Sequence, residues 1–243
     1  MVNVFKEFCN DCCYTQHMSP FLNPPFIIAI LIALSVHEWA HGYAAYRLGD
    51  PTAKYSGRLT LNPLAHLDPI GTIMFLFVGF GWGKPVPIDP RNFKNYKRDS
   101  AITALAGPLS NFILAWISFM GLVALSGNGT HTSMMSLLRI SEAGNPATLL
   151  LIQIFASSLF INLALMAFNL LPVAPLDGSK IVRPFVPVRY DDMYQDFMRR
   201  GPMFLIFLLV IEAFLHVPIL SGWVFGIITP ILLSMNAAAG LFL

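Results

Sequence analysis

The sequence predicts an α-helical membrane protein of about five spanning helices, with a re-entrant segment and a short β-hairpin or small sheet at the cytoplasmic face. Three observations lead there. Charged residues make up 12% of the 243 and apolar ones 56%, with a mean hydropathy of +0.64, whereas soluble domains carry roughly 25% charged residues. Several apolar runs reach the length of about 20 residues that crosses a hydrocarbon layer of about 30 Å. The basic residues cluster between those runs, at positions 47 to 58, 84 to 98 and 180 to 200, as they do in loops on the cytoplasmic side of a membrane. A net charge of +2 spread in this way excludes nucleic acid as a partner and leaves the lipid bilayer.

Residues 1 to 23 read as an N-terminal tail, and 24 to 243 as one polytopic membrane domain with a catalytic core over about 24 to 200. The tail lacks the basic-then-apolar order of a cleavable signal, so the first span is expected to insert uncleaved. Cys9, Cys12, Cys13 and His17 lie in it at spacings unlike those of a zinc site, and read as free or modified thiols with a nearby histidine. Phe26 to Leu48 is apolar except for Ser35, His37, Glu38, His41 and Arg47, has no internal proline, and reads as the first span. After Gly49-Asp50-Pro51, Lys54 to Leu61 mixes polar and apolar residues and stops at Asn62-Pro63, the pattern of a short strand and a turn. Ile70 to Phe80 is apolar but too short to cross unaided, and reads as re-entrant. Gly81 to Arg98, with three prolines and five basic residues, is loop or hairpin chemistry, in which Val86 and Ile88 are expected to pair with the earlier strand.

Ala101 to Leu125 is a second span, Ser126 to Pro146 a polar loop, and Ala147 to Leu171 a third span stopped by Pro172 and Pro175. Lys180 to Arg200 is polar, and Pro202 to Val217 with Ile219 to Met235 forms a closing helical pair. If 70 to 80 does not cross, all three basic clusters fall on the cytoplasmic side. The first span then runs inward, so His37 and His41 lie nearer its cytoplasmic end, where Asp177 also arrives.

His37-Glu38-Trp39-Ala40-His41 matches HExxH, whose i, i+4 spacing sets both imidazoles on one helical face within reach of a single zinc ion. An ionisable group in a spanning helix costs on the order of 2.5 to 3.5 kcal/mol on insertion scales, and a metal between the histidines gives these polar residues a reason to be there. A catalytic zinc has three protein ligands and one open position. The third can come from His66, Asp68, His131, Asp177, Glu212 or His216. Asp177 stands out among them because Pro172 and Pro175 break the helix just before it, and irregular backbone at membrane depth survives only against protein or a water-filled cavity. Asp68, in the turn that opens the re-entrant segment, reads instead as a capping or structural group.

Asn62-Pro63-Leu64-Ala65-His66-Leu67-Asp68-Pro69, Ala106-Gly107-Pro108-Leu109-Ser110-Asn111 and Asn169-Leu170-Leu171-Pro172-Val173-Ala174-Pro175-Leu176-Asp177-Gly178 follow the HExxH in order. Over residues 24 to 200 this combination resembles the site-2 protease family of intramembrane zinc metalloproteases, in a minimal form without a PDZ insertion or a nucleotide-sensing domain. The resemblance implies that His37, His41 and Asp177 bind one Zn2+ ion, that Glu38 is the general base, and that Asn169 positions substrate or stabilises the oxyanion. His66 is then either an active-site group or part of the Asn-Pro turn.

The expected activity is hydrolysis of peptide bonds in single-span membrane proteins by a zinc-activated water, at a multi-pass site in the plasma membrane that faces the cytoplasm. A substrate unwound from its helix is expected to add to the edge of the 54 to 61 strand. The competing readings are a zinc hydrolase of lipidated peptides and a silent scaffold or transporter whose polar residues line a pathway.

Overall fold

The structure, a computed structural model, describes residues 23–78, 81–126 and 145–242. The cysteine-bearing tail, His17 and His131 lie outside the described residues.

Helix α1 (Pro24–Arg47) begins at a Pro-Pro pair, which fits the first turn because the N–H that proline lacks has no helical partner there. It ends at Leu48, before Gly49 at φ 109. Two single turns follow, α2 (Thr52–Tyr55) and α3 (Pro63–His66), the latter capped by Asn62 Oδ1, which accepts from Leu64 N at 3.1 Å. Then comes α4 (Pro69–Val78), where Asp68 Oδ1 accepts from Gly71 N at 2.8 Å, so Asp68 caps it as expected. The chain runs extended from Gly83 to Asp89, makes a 3-10 turn at Pro90–Asn92, and enters the long α5 (Tyr96–Ser126). Helix α6 (Pro146–Asn169) is capped by Asn145 and leads through an irregular turn to α7 (Asp177–Val182). Two 3-10 turns precede α8 (Asp191–Leu215), and α9 (Leu220–Phe242) closes the chain.

Helices α1, α5, α6 and α9 are long and apolar enough to cross a membrane. Helix α8 has 25 residues, but Asp191, Asp192, Asp196, Arg199 and Arg200 fall in its first part, up to Arg200. With 10 residues, α4 is about 15 Å long at 1.5 Å per residue, half the hydrocarbon thickness.

Helices α1, α5 and α6 pack on one another around the site. Lipid tails are as apolar as leucine, so close backbone approach and polar contacts hold such helices together rather than apolar transfer. Ala29 and Ala33 of α1 pack with Phe26 against Ile161, and Ser118 Oγ donates to Ser158 Oγ across α5 and α6 at 2.8 Å. On the other side, Val224, Ile228 and Met235 of α9 join Ala115, Phe119, Leu159, Leu163 and Met166. Leu205 and Leu208 of α8 pack on Leu171, Val173 and Leu176, the turn before Asp177.

One expectation is corrected. Lys54 to Leu61 is no strand, and the described residues contain no sheet: Asp50 Oδ1 accepts from Thr52 N at 3.1 Å and starts the α2 turn instead. An isolated strand with no partner is not stable, and the one bridge joins Leu67 to Gly83, antiparallel. Val86 and Ile88 therefore pair with no strand at 54 to 61, and that edge offers no place for a substrate to add. The polar stretch at 180 to 200 is largely helical, since α7 and the start of α8 fall within it.

Candidate metal centre

Helix α1 presents His37 and His41 one turn apart, buried at 5% and 7% exposure, with ring centroids 4.6 Å apart. The third group comes from the far side. The backbone turns after α6 through bonds from Val173 N to Leu171 O (2.8 Å) and Leu176 N to Val173 O (2.9 Å), and delivers Asp177 at the first position of α7. A Cβ on Gly178 would lie 2.3 Å from Leu170 O and 2.4 Å from Leu171 O, so only glycine lets α7 start this close to the end of α6. Asp177 is itself 7% exposed.

His37 Nε2 and His41 Nε2 stand 3.0 Å apart, and Asp177 Oδ2 lies 3.3 Å from the first and 3.1 Å from the second. Ligand atoms about 2.0 to 2.1 Å from a tetrahedral zinc stand about 3.3 Å from one another, so the triangle has the size such an ion needs.

The protons point the same way. His41 Nδ1 lies 2.7 Å from Thr103 O, which can only accept, so Nδ1 carries the hydrogen. His37 Nδ1 lies 2.6 Å from Asn111 Oδ1, and Asn111 Nδ2 donates to Asn162 Oδ1 at 2.8 Å and to Ala33 O at 3.3 Å, which fixes the amide's direction. In neutral imidazoles so held, both Nε2 atoms are bare lone pairs facing each other and a carboxylate oxygen. Without a cation these three atoms repel; with one they form a ligand set oriented by the groups behind it. Gly107 of α5 keeps the space open, since a Cβ there would come within 2.4 Å of His41 Nε2 and 2.7 Å of His37 Cε1.

Glu38, between the two histidines, turns its carboxylate to the extended segment, where Oε2 accepts from Val86 N at 2.9 Å. That segment lies along α1, with Val86 buried over Gly42. It is tied down at its far end by the fully buried Asp50, which accepts from Asp89 N and from Asn92 Nδ2, both at 2.7 Å, and from the Thr52 hydroxyl. Burial alone would raise the Asp50 pKa; the hydrogen bonds, led by Thr52 and Asn92, outweigh it and hold the carboxyl below its usual range.

The other sequence candidates stand elsewhere. Asn169, the last residue of α6, donates its amide to Leu165 O at 3.0 Å. His66 is fully buried with Nε2 2.8 Å from Thr60 O, holding the turn before α3, and is not among the grouped metal ligands. Glu212 accepts from Leu220 N and Ser221 N at the start of α9, and His216 ends α8 in the left-handed region at φ 54. Asn111 was visible only as part of a motif, and Asn162, Thr103 and Val86 carried no signal of their own: two of them act through backbone atoms.

A carboxylate and two tautomer-fixed imidazoles converging between long apolar helices, with a glutamate in the same turn, are the ligand set and base of a zinc hydrolase. The chain belongs to peptidase family M50, which it matches over residues 25–211, in agreement with the resemblance to site-2 proteases. It is 44% identical over 166 residues to a Bacillus subtilis (strain 168) protein named "Putative zinc metalloprotease YwhC", covering 68% of this chain and 71% of that one. Two mycobacterial proteins named "Putative zinc metalloprotease Rip2" are also similar. That of Mycolicibacterium smegmatis (strain ATCC 700084 / mc(2)155) is 26% identical over 210 residues, 84% of this chain and 72% of the relative. That of Mycobacterium tuberculosis (strain ATCC 25618 / H37Rv) is 28% identical over 204 residues, 82% and 69%. No solved structure matches the chain.

Proposed function

We propose that this metallopeptidase cleaves single-span membrane proteins within or beside the bilayer, with His37, His41 and Asp177 holding the zinc and Glu38 as general base. The observation that carries the reading is the meeting of these three ligand atoms, on edges of 3.0 to 3.3 Å, between helices that are otherwise apolar. Zinc, when bound, polarises the scissile carbonyl and acidifies a water. Glu38 takes one proton from that water as its oxygen adds to the carbonyl carbon, then passes the proton to the amine as the C–N bond breaks. The Val86 N–H holds one carboxylate oxygen and so sets the direction of the other. Asn169, at the mouth of the turn leading to Asp177, serves as a donor to the substrate carbonyl or the oxyanion once its amide leaves Leu165 O.

Thirteen of the 15 Lys and Arg residues lie at or beyond the ends of α1, α5 and α6 nearest the metal centre, and the other two, Lys6 and Arg139, are outside the described residues. That bias supports an active site on the cytoplasmic side of the plasma membrane. The test is to reconstitute the purified chain with single-span proteins and map the cuts by mass. We expect cuts within or beside the span, and their loss by at least about 100-fold in Glu38→Gln. Cleavage by Glu38→Gln at the wild-type rate removes Glu38 from the mechanism, and cleavage of lipidated peptides alone moves the substrate to that class.

A further inference from the structure

Apart from the metal centre, a second polar cavity, of about 430 Å³, lies at the junction of α5, the Arg183–Phe185 turn and α8, lined by Tyr96, Arg183, Tyr194, Gln195, Met198 and Arg199. The Arg183 guanidinium lies over the Tyr96 ring at 4.4 Å and near that of Tyr194 at 5.8 Å, and donates to the Tyr96 hydroxyl. Its Nε is buried with no hydrogen-bond partner. Arg199 has no ion-pair partner among the described residues. Asp191, at the start of α8, has its carboxyl held below its usual range first by the Lys97 ammonium at 3.0 Å. Lys97 is neutralised by Asp191, so the charges that line the cavity are those of Arg183 and Arg199, with no carboxylate among the lining residues.

Its depth follows from helix length. Helix α5 has 31 residues, about 46 Å at 1.5 Å each, so it overshoots the about 30 Å hydrocarbon layer by several turns. Its surplus is the polar start, where Tyr96 and Lys97 stand. Beside the cavity, Phe185 and Val188 are 82% and 84% exposed and alternate with Arg183 and Arg189. Apolar side chains exposed among arginines are the chemistry of a segment lying in the headgroup region.

The geometry points to this cavity as a binding site for a phosphate diester, the headgroup of an anionic phospholipid, with Arg183 and Arg199 as its cationic ligands. Basic pockets between helices at the cytoplasmic surface hold such headgroups, and arginine suits them because it offers paired donors to phosphate oxygens. The cavity also touches the metal centre's support. Tyr194, its phenol kept protonated as burial raises its pKa, donates to Ser179 O in the helix that begins with Asp177. A headgroup bridging α5, α8 and the Arg183 turn therefore steadies the segment carrying the third metal ligand.

The test uses the delipidated full chain in detergent, titrated with short-chain phosphatidylglycerol, phosphatidylcholine of the same chain length, and inorganic phosphate, with bound ligand read by native mass spectrometry. We expect phosphatidylglycerol to bind with preference over phosphatidylcholine. Arg199→Gln, which removes no internal bond, should weaken that binding about tenfold, as loss of one charge-assisted contact does. Arg199→Lys, which keeps the charge but loses the paired donors, should bind more weakly than wild type and more tightly than Arg199→Gln. Equal binding of the two lipids, or unchanged phosphatidylglycerol binding by Arg199→Gln, overturns the site. Inorganic phosphate binding as tightly as the lipid makes the ligand a free phosphate and overturns the assignment to lipid. None of these readouts requires proteolysis, so failure here leaves the reading of the metal centre untouched.

Discussion

His37 depends on Asn111 for its tautomer: the 2.6 Å contact from Nδ1 to Asn111 Oδ1 puts the lone pair on Nε2, where the ion must be met. Removing such a partner typically lowers metal affinity about 10- to 100-fold. Asn111→Ala is therefore expected to raise the zinc dissociation constant by about that factor while the chain remains folded, measured by competition with a chelator. An unchanged constant takes Asn111 out of the site. The HExxH itself was legible because two ligands and a base one turn apart are a local pattern, and Asp177 because prolines broke the helix ahead of it. Gly107 and Asn111 stood inside a motif whose purpose the sequence does not state: what makes Gly107 necessary is a Cβ contact of 2.4 Å with a helix more than sixty residues away.

Among the elements, the extended segment from Gly83 to Asp89 matters most, because it brings the Val86 N–H to Glu38 and is anchored by Asp50. Asp50→Ala leaves Asp89 N and Asn92 Nδ2 without their buried acceptor, a loss of about 2 to 4 kcal/mol. The variant is expected to keep its zinc, to melt lower and to cleave more slowly, because the base is less well held. Asp50 has a depressed folded pKa, so its stabilisation is present above about pH 4, its unfolded value, and is lost as pH falls through the folded pKa. Wild type should therefore lose more stability than Asp50→Ala on acidification below pH of about 4. Equal acid sensitivity in the two proteins contradicts the anchor. Lys54 to Leu61 reads as a strand because polar and apolar residues mix there, but such a mixture without a pairing partner is outweighed by the Asp50 and Asn62 caps.

For the whole molecule, the spans were legible because each is a contiguous apolar run: observed and expected ends agree within five residues for α1, α5 and α6, whereas α8 starts eleven residues earlier and α9 ends seven residues later than expected. Sidedness rests on the basic clusters and on α4 not crossing. With Cys9, Cys12 and Cys13 replaced by serine, Asn92→Cys should resist a membrane-impermeant thiol reagent applied to intact cells, whereas Ser136→Cys should react. The opposite pattern inverts the topology and places the metal centre near the outer face.

The centre itself is a junction of the whole fold, since two ligands ride on α1 and the third arrives from beyond α6, with α5 packed against both imidazoles. Two histidines of a single helix hold a zinc ion weakly, and the carboxylate completes the set and offsets the ion's charge in a low-dielectric site. The most direct measurement is zinc per chain, by elemental analysis of purified wild type and Asp177→Ala after dialysis against a mild chelator. About one zinc per wild-type chain and little in Asp177→Ala is the result these distances require; equal zinc in the two proteins places the third ligand elsewhere and contradicts the centre described here.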